Sequence, residues 1–195
     1  MKKLKKSSNK KPFNVLVLYG APAVGKFTVA KEIIKNINFK IFHNHAIKDV
    51  IWEFFPRGTN SDQVLFEQIV FLFFQHISEN HINTVLTNTH SANFVSATGL
   101  TNVDLYKKIE KIIKPYSGRM LYVQLVADSK EIVKRVSHPN RKLHKKLVDK
   151  NIMEKVLVEK DWVTPAKLKN QIIIDNTKLS PKKVAGMIIE HFKLK

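Results

Sequence analysis

Near the start of this 195-residue chain an apolar run meets a glycine-framed turn, and a helix-forming run follows at once. Phe13-Asn14-Val15-Leu16-Val17-Leu18-Tyr19 reads as a strand, Thr28-Val29-Ala30-Lys31-Glu32-Ile33-Ile34 as a helix, and Gly20-Ala21-Pro22-Ala23-Val24-Gly25-Lys26-Phe27-Thr28 joins them. A loop that wraps a polyphosphate needs glycine where the backbone turns and nears the ligand, because a side chain there would cover the N–H groups that bind phosphate oxygens. Gly20 and Gly25 stand at those places. A helix starting near Gly25 aims its free N–H groups and positive dipole end at an anion, and Lys26 adds a mobile charge for the outer phosphates. The strand before and the helix after turn a string of letters into a mechanism. The sequence therefore predicts a nucleotide phosphate loop built from Gly20, Ala23, Val24, Gly25, Lys26, Phe27 and Thr28. One position departs from the usual pattern: Phe27 stands where a Ser or Thr hydroxyl would ligate Mg²⁺, and the hydroxyl comes one residue later, at Thr28.

The length suits a single domain with a full core, expected over 13–195, after a basic, disordered tail over 1–12. The tail has the charge of a signal peptide's start, but the apolar stretch behind it is short and ends in the phosphate loop rather than a cleavage site. With no cysteine in the chain, no oxidising compartment is needed, and a cytoplasmic home is expected. The apolar run Ile69-Val70-Phe71-Leu72-Phe73-Phe74 falls far short of the roughly 20 residues that span a bilayer, so it is expected to be a buried helix. A formal charge of +18 invites a nucleic-acid reading. Against it, nearly all of that charge is Lys, and only Arg57, Arg119, Arg135 and Arg141 offer planar, two-pronged recognition. Nucleic acid is kept as an alternative partner, behind a small molecule.

Further along, the pattern predicts a strand at 39–42, a helix at 46–55, and a turn around Pro56-Arg57-Gly58. A long core helix follows, capped by Ser61 or Asp62, in which Leu65, Ile69, Leu72 and Phe66, Val70, Phe73 recur at helical spacing. Strands are expected at 81–87, 119–126 and 171–174, with helices at 104–114, from Asp128 through Arg135, from 148 to 160, and after Ser180-Pro181. Alternating strands and helices imply a parallel sheet covered on both faces, with ligands at the carboxyl ends of the strands.

The loop Gly20-Ala21-Pro22-Ala23-Val24-Gly25-Lys26-Phe27-Thr28 resembles that of adenylate kinases and other nucleoside monophosphate kinases, where Lys is followed by one residue and then Thr. Together with the order of elements, the chain resembles the P-loop kinase superfamily, including shikimate and nucleoside kinases, over residues 13–193. The resemblance implies an α/β, three-layer P-loop NTPase fold with a parallel five-stranded sheet in the order 2-3-1-4-5 and helices on both faces. It also implies ATP, with Mg²⁺ held through phosphate oxygens and water, and γ-phosphoryl transfer to a small hydroxylated or nucleotide-like acceptor. In such kinases a basic lid closes over ATP. The segment 137–147 matches it, and Arg135 and Arg141 join Lys26 as candidate catalytic cations, against the plainer reading of a solvated basic loop that includes Lys142, Lys145 and Lys146.

His43-Asn44-His45 falls where related kinases place acceptor-binding residues, and either His could take a hydroxyl proton near neutral pH. Asn88-Thr89-His90 and Arg57 could line the same pocket. Shikimate kinases carry aspartates near His43, absent here, so a carboxylate base or metal ligand does not carry over. Asp49 and Glu53 are the nearest substitutes. A zinc site needs His81 or His90 to join His43 and His45, and the letters H-N-H belong to a different, metal-binding nuclease fold. Asp128 imitates a Walker B aspartate, but a helix cap explains it more simply. Asp175-Asn176-Thr177 lies where this fold receives adenine, which makes Asn176 a candidate contact. The main alternative function is a nucleotide binder or slow NTPase without kinase activity, favoured by Phe27 and the missing carboxylates.

Overall fold

The computed structural model describes residues 11–138, 141 and 146–195. The first ten residues of the expected tail, and Lys142 and Lys145 of the expected lid, lie outside the described residues.

The chain runs β1 (Phe13–Gly20), α1 (Lys26–Asn36), β2 (Lys40–His43), α2 (Asn44–Ile51), α3 (Asn60–Glu79), β3 (Thr84–Thr89), α4 (Asn102–Ile113) and β4 (Gly118–Val126), then α5 (Ser129–Val136), α6 (Lys150–Glu159), β5 (Gln171–Asp175) and α7 (Pro181–Phe192). All strand pairs are parallel and the sheet order is β2-β3-β1-β4-β5, as the resemblance implies. Strand β1 is central and apolar on both faces because both are covered. Leu16 and Leu18 join Val29, Ile33, Ile132, Met153, Val184 and Ile188 from α1, α5, α6 and α7. Val15, Val17 and Tyr19 join Ile51, Phe66, Val70, Phe74, Tyr106 and Ile109 from α2, α3 and α4. This alternation along one strand is what fixes its register.

Several boundaries differ from expectation. Helix α2 starts directly off the strand at Asn44 and stops at Ile51. Helix α3 is capped by the Thr59 hydroxyl, which accepts from the Asp62 N–H, rather than by Ser61 or Asp62. Its buried stripe is Phe66, Val70, Phe74 and Ile77, while Leu72 and Phe73 are 56% and 50% exposed, so the helix is core on one side only. Strand β3 begins at Thr84, because His81 adopts a left-handed turn (φ 52°) after α3. Asp128 does cap α5, accepting from the Lys130 N–H at 2.8 Å, and Glu131 pairs with Arg135 instead of reaching back to the cap. None of the described helices is long and apolar enough to cross a membrane.

Candidate functional site

The carboxyl ends of β1, β2 and β3 open into a cavity of about 1110 Å³ that runs along the glycine turn. Its floor begins where β1 ends. Gly20 has φ 136°, and a Cβ there would sit 2.3 Å from the Leu125 carbonyl oxygen of β4. Its glycine is thus required by the neighbouring strand; Gly20 does not line the cavity. Gly25, at φ 102°, heads α1 without any side-chain cap, which leaves the first N–H groups of that helix facing the cavity. Ala23 is also left-handed, at φ 62°. The Val24 side chain is buried, and its carbonyl is held from outside the loop: Asn176 Nδ2 donates to it at 2.7 Å and Arg135 Nη1 at 3.3 Å.

Lys26 folds back over its own loop, donating to the Gly20 and Ala21 carbonyls at 2.9 and 2.6 Å. Burial, reinforced by the Arg141 and Lys146 charges, pushes its ammonium down to about 7. Arg141 lines the cavity with Nε and Nη2 both donating to the Leu147 carbonyl, at 3.0 and 2.8 Å. Arg135, the candidate cation just ahead of the expected lid, lines the same cavity. It sits in the last turn of α5, where Nε meets Glu131 at 2.8 Å and the two Nη groups donate to Val24 O, Asn176 Oδ1, Asn176 O and Thr177 O. Every N–H of its guanidinium has an acceptor. Arg135 and Asn176 together bind the phosphate-loop candidate to the end of β5.

The histidine corner is split by a change of element. His43 ends β2 and Asn44 opens α2, so His43 and His45 do not alternate along one strand. His43 Nδ1 lies 2.8 Å from the Thr87 hydroxyl of β3, and its ring stacks on Phe27 with centroids 4.3 Å apart. His45 Nδ1 lies 3.3 Å from Asp49 Oδ1 one helical turn on, which explains Asp49 without a metal role. Burial, opposed by Asp49 and reinforced by Lys146 and Arg57, holds His45 below its usual pKa. Neither Asp49 nor Glu53 lines the cavity. Asn44 and Asn88 turn toward each other: Asn44 Nδ2 donates to Asn88 Oδ1 at 2.9 Å, and Asn88 Nδ2 donates to Asn102 Oδ1 and the Tyr106 hydroxyl at 3.0 and 2.9 Å. Arg57 lies over the Trp52 ring at 4.0 Å.

The zinc reading does not survive this geometry. His81 packs edge-on to Phe13 at the amino end of β3, and His90 is buried between Tyr19 and Tyr106. Among the described residues no three His, Asp or Glu side chains converge to hold a metal.

Pattern reading missed the cavity's far wall. Lys48 Nζ bonds Asp62 Oδ1 at 2.7 Å, with Asp62 fully buried and also accepting from the Gly58 N–H at 2.9 Å. Glu67 accepts from Thr98 and Ser96 at 2.7 and 3.3 Å. The only signal was Asp62 itself, a carboxylate in the first turn of a helix, which reads equally well as a cap.

The profile of the RapZ-like N-terminal domain family matches residues 89–195, a little over half of the chain, from the last residue of β3 onward. No curated protein matches the chain. Among solved structures it is similar to a sugar kinase from Janibacter sp. HTCC2649 (TM-score 0.64, 11% identity, 94% of this chain and 96% of that one). It is also similar to a gluconokinase from Sinorhizobium meliloti 1021 (0.59, 12%, 95% and 94%) and to a shikimate kinase from Bacteroides thetaiotaomicron (0.55, 13%, 93% and 99%). At such identities the likeness is one of fold.

Proposed function

Since the chain belongs to the RapZ-like N-terminal domain family and has the fold of P-loop kinases, we propose that it binds ATP along 20–28 and transfers the γ-phosphoryl group to a small hydroxylated or nucleotide-like acceptor. The observation that carries this reading is the turn itself: a left-handed Gly25 heads an uncapped helix, and Lys26 is poised over the same loop. The cavity is large enough for a nucleotide and a second small molecule side by side.

In this reading the α1 amides and Lys26 bind the phosphates. Arg141 and Lys146, whose charges already act on Lys26, balance the charge on the moving phosphoryl group. The acceptor sits against Asn44, Asn88, His43 and Arg57, and its hydroxyl gives its proton to His45 Nε2, since Nδ1 faces Asp49. The acceptor oxygen then bonds to the γ-phosphorus as the bond to the β-γ bridging oxygen breaks, and ADP leaves. Arg135 and Asn176 hold the loop in place and border the base. Nucleic acid is not needed as a partner in this scheme.

The described side chains do not fit a protein-held Mg²⁺. An aromatic ring occupies the usual hydroxyl position, β3 ends in Asn88-Thr89 with His90 next, and the carboxylates that reach the cavity, Asp62 and Glu67, are engaged by Lys48 and by hydroxyls. That same lack of a free carboxylate favours a second reading, a nucleotide-binding protein without transfer activity. ADP release measured with and without a panel of sugars, nucleosides and hydroxy acids separates the two. A kinase accelerates with one acceptor class; a uniform slow rate across the panel overturns the transfer reading.

A further inference from the structure

Beside Phe27, where the usual loop carries a hydroxyl, the cavity wall carries cations, with the Asp49 carboxylate acting on Lys146 as an opposing charge. The Phe27 ring has His43 stacked on it, with Lys31 Nζ 4.7 Å and Lys146 Nζ 5.0 Å from its centre. Lys26 and Arg141 lie close enough to Lys146 for their charges to act on one another. Mg²⁺ demands a near-octahedral shell of hard oxygen ligands, usually one or two carboxylates together with phosphates and waters. An aromatic face supplies none of these, and two ammonium groups beside it repel a dication. Of the acids at the end of β4, Asp128 is used as the α5 cap, and Asp175, opposite Val126, accepts from Thr177.

We propose that this chain takes its nucleoside triphosphate as the metal-free tetra-anion, with Lys26, Lys31, Arg141 and Lys146 neutralising the outer phosphates in place of a divalent ion. The inference rests on the nucleotide reading above and specifies the ionic form of that ligand. Its logic is charge balance. Removing Mg²⁺ from the complex adds two negative charges to the ligand, and every cation along the loop gains from them. The cations of the ligand-free site repel one another, and burial adds to the cost of keeping Lys26 charged. A tetra-anion relieves that repulsion more fully than the magnesium complex can. Among the described residues the other cations on the cavity wall are Lys48, Arg57, Arg135 and Lys160, acting in the same direction at longer range, while Asp62 offsets Lys48, Glu131 offsets Arg135 and Asp49 partly offsets Lys146.

The test is calorimetry of the full chain with ATP, once in excess MgCl₂ and once in EDTA at matched ionic strength. Binding in EDTA is expected to equal or exceed binding with Mg²⁺. The Lys31→Ala, Lys146→Ala double variant, with its fold checked by circular dichroism, should lose at least about tenfold in affinity in EDTA and less with Mg²⁺. Wild-type binding that is about tenfold or more tighter with Mg²⁺ overturns the proposal while leaving the nucleotide reading intact. An absence of heat in both buffers overturns the nucleotide reading itself, and this proposal with it. The wild-type comparison stands whether or not the variant folds.

Discussion

Arg135 gives the sharpest test of what its charge is for. If it is a cation for the transferring group, Lys should replace it; if it is a brace, only the planar fork will do. In the structure one N–H faces Glu131 in an i,i+4 pair, a geometry worth about 0.5 kcal/mol at a partly exposed site. The other four reach Val24 O, Asn176 Oδ1, Asn176 O and Thr177 O at 3.0 to 3.3 Å. At the low end of the range for such bonds these contribute roughly 0.5–1 kcal/mol each, so Arg135→Ala should destabilise the fold by about 3 kcal/mol. For a domain of this length that is a fall of about 6–12 °C in Tm. An ammonium on a single stem can keep the Glu131 pair but cannot span from Val24 to Thr177, so Arg135→Lys should lie within about 1 kcal/mol of Arg135→Ala. Urea unfolding of the three proteins measures this, with ATP affinity as a second readout that falls in both variants as the Val24 carbonyl loses one of its two outside donors and Asn176 loses its own brace. A Lys variant with wild-type stability and altered turnover alone would refute the brace.

The low pKa of Lys26 makes nucleotide binding a proton-uptake event. Its ammonium titrates at about 7 in the free protein, and a polyphosphate restores the charged form, so at about pH 8 binding should take up close to one proton. Calorimetry in buffers of different ionisation enthalpy measures that number, and zero uptake counts against the assignment. The same shift makes the unfolded chain the better proton binder between about 7 and the ordinary lysine value. This group's contribution to stability therefore rises with pH across that window, and a Lys26→Met variant should flatten the slope. Gly20→Ala would place a methyl 2.3 Å from the Leu125 carbonyl at a positive φ. It should lower stability by about 3 kcal/mol or more, and a loss below about 1 kcal/mol in urea would show that β4 yields easily.

What was legible in the sequence was local. The run from β1 through the turn into α1 reads directly from side-chain types, and so does the alternation of strands and helices, because each is set by neighbours a few residues away. What was not legible depended on distant partners. Asp62 reads as a cap until Lys48, 14 residues earlier, arrives beside it. The sequence reads Arg135 as a catalytic cation and gives no sign of its contacts with Asn176 and Val24, which the fold brings to it across separations of 41 and 111 residues. The start of α2 was misplaced because His43 offers no side-chain cap to mark it. Leu72 and Phe73 read as core because α3 is apolar without a break from Ile69 to Phe74, and periodicity alone does not say which stripe of that run meets the sheet.

The row of amides from Asn44 through Asn88 to Asn102 has a polarity of its own. Asn44 and Asn88 each give their NH₂ to the next oxygen in the row, so Asn44 Oδ1 at one end and Asn102 Nδ2 at the other are buried without a protein partner among the described residues. Rotating any one amide by half a turn would set oxygen against oxygen or nitrogen against nitrogen, so the three can reverse only as a set. The row therefore ties the first turn of α2, the end of β3 and the first turn of α4 into one directional polar unit.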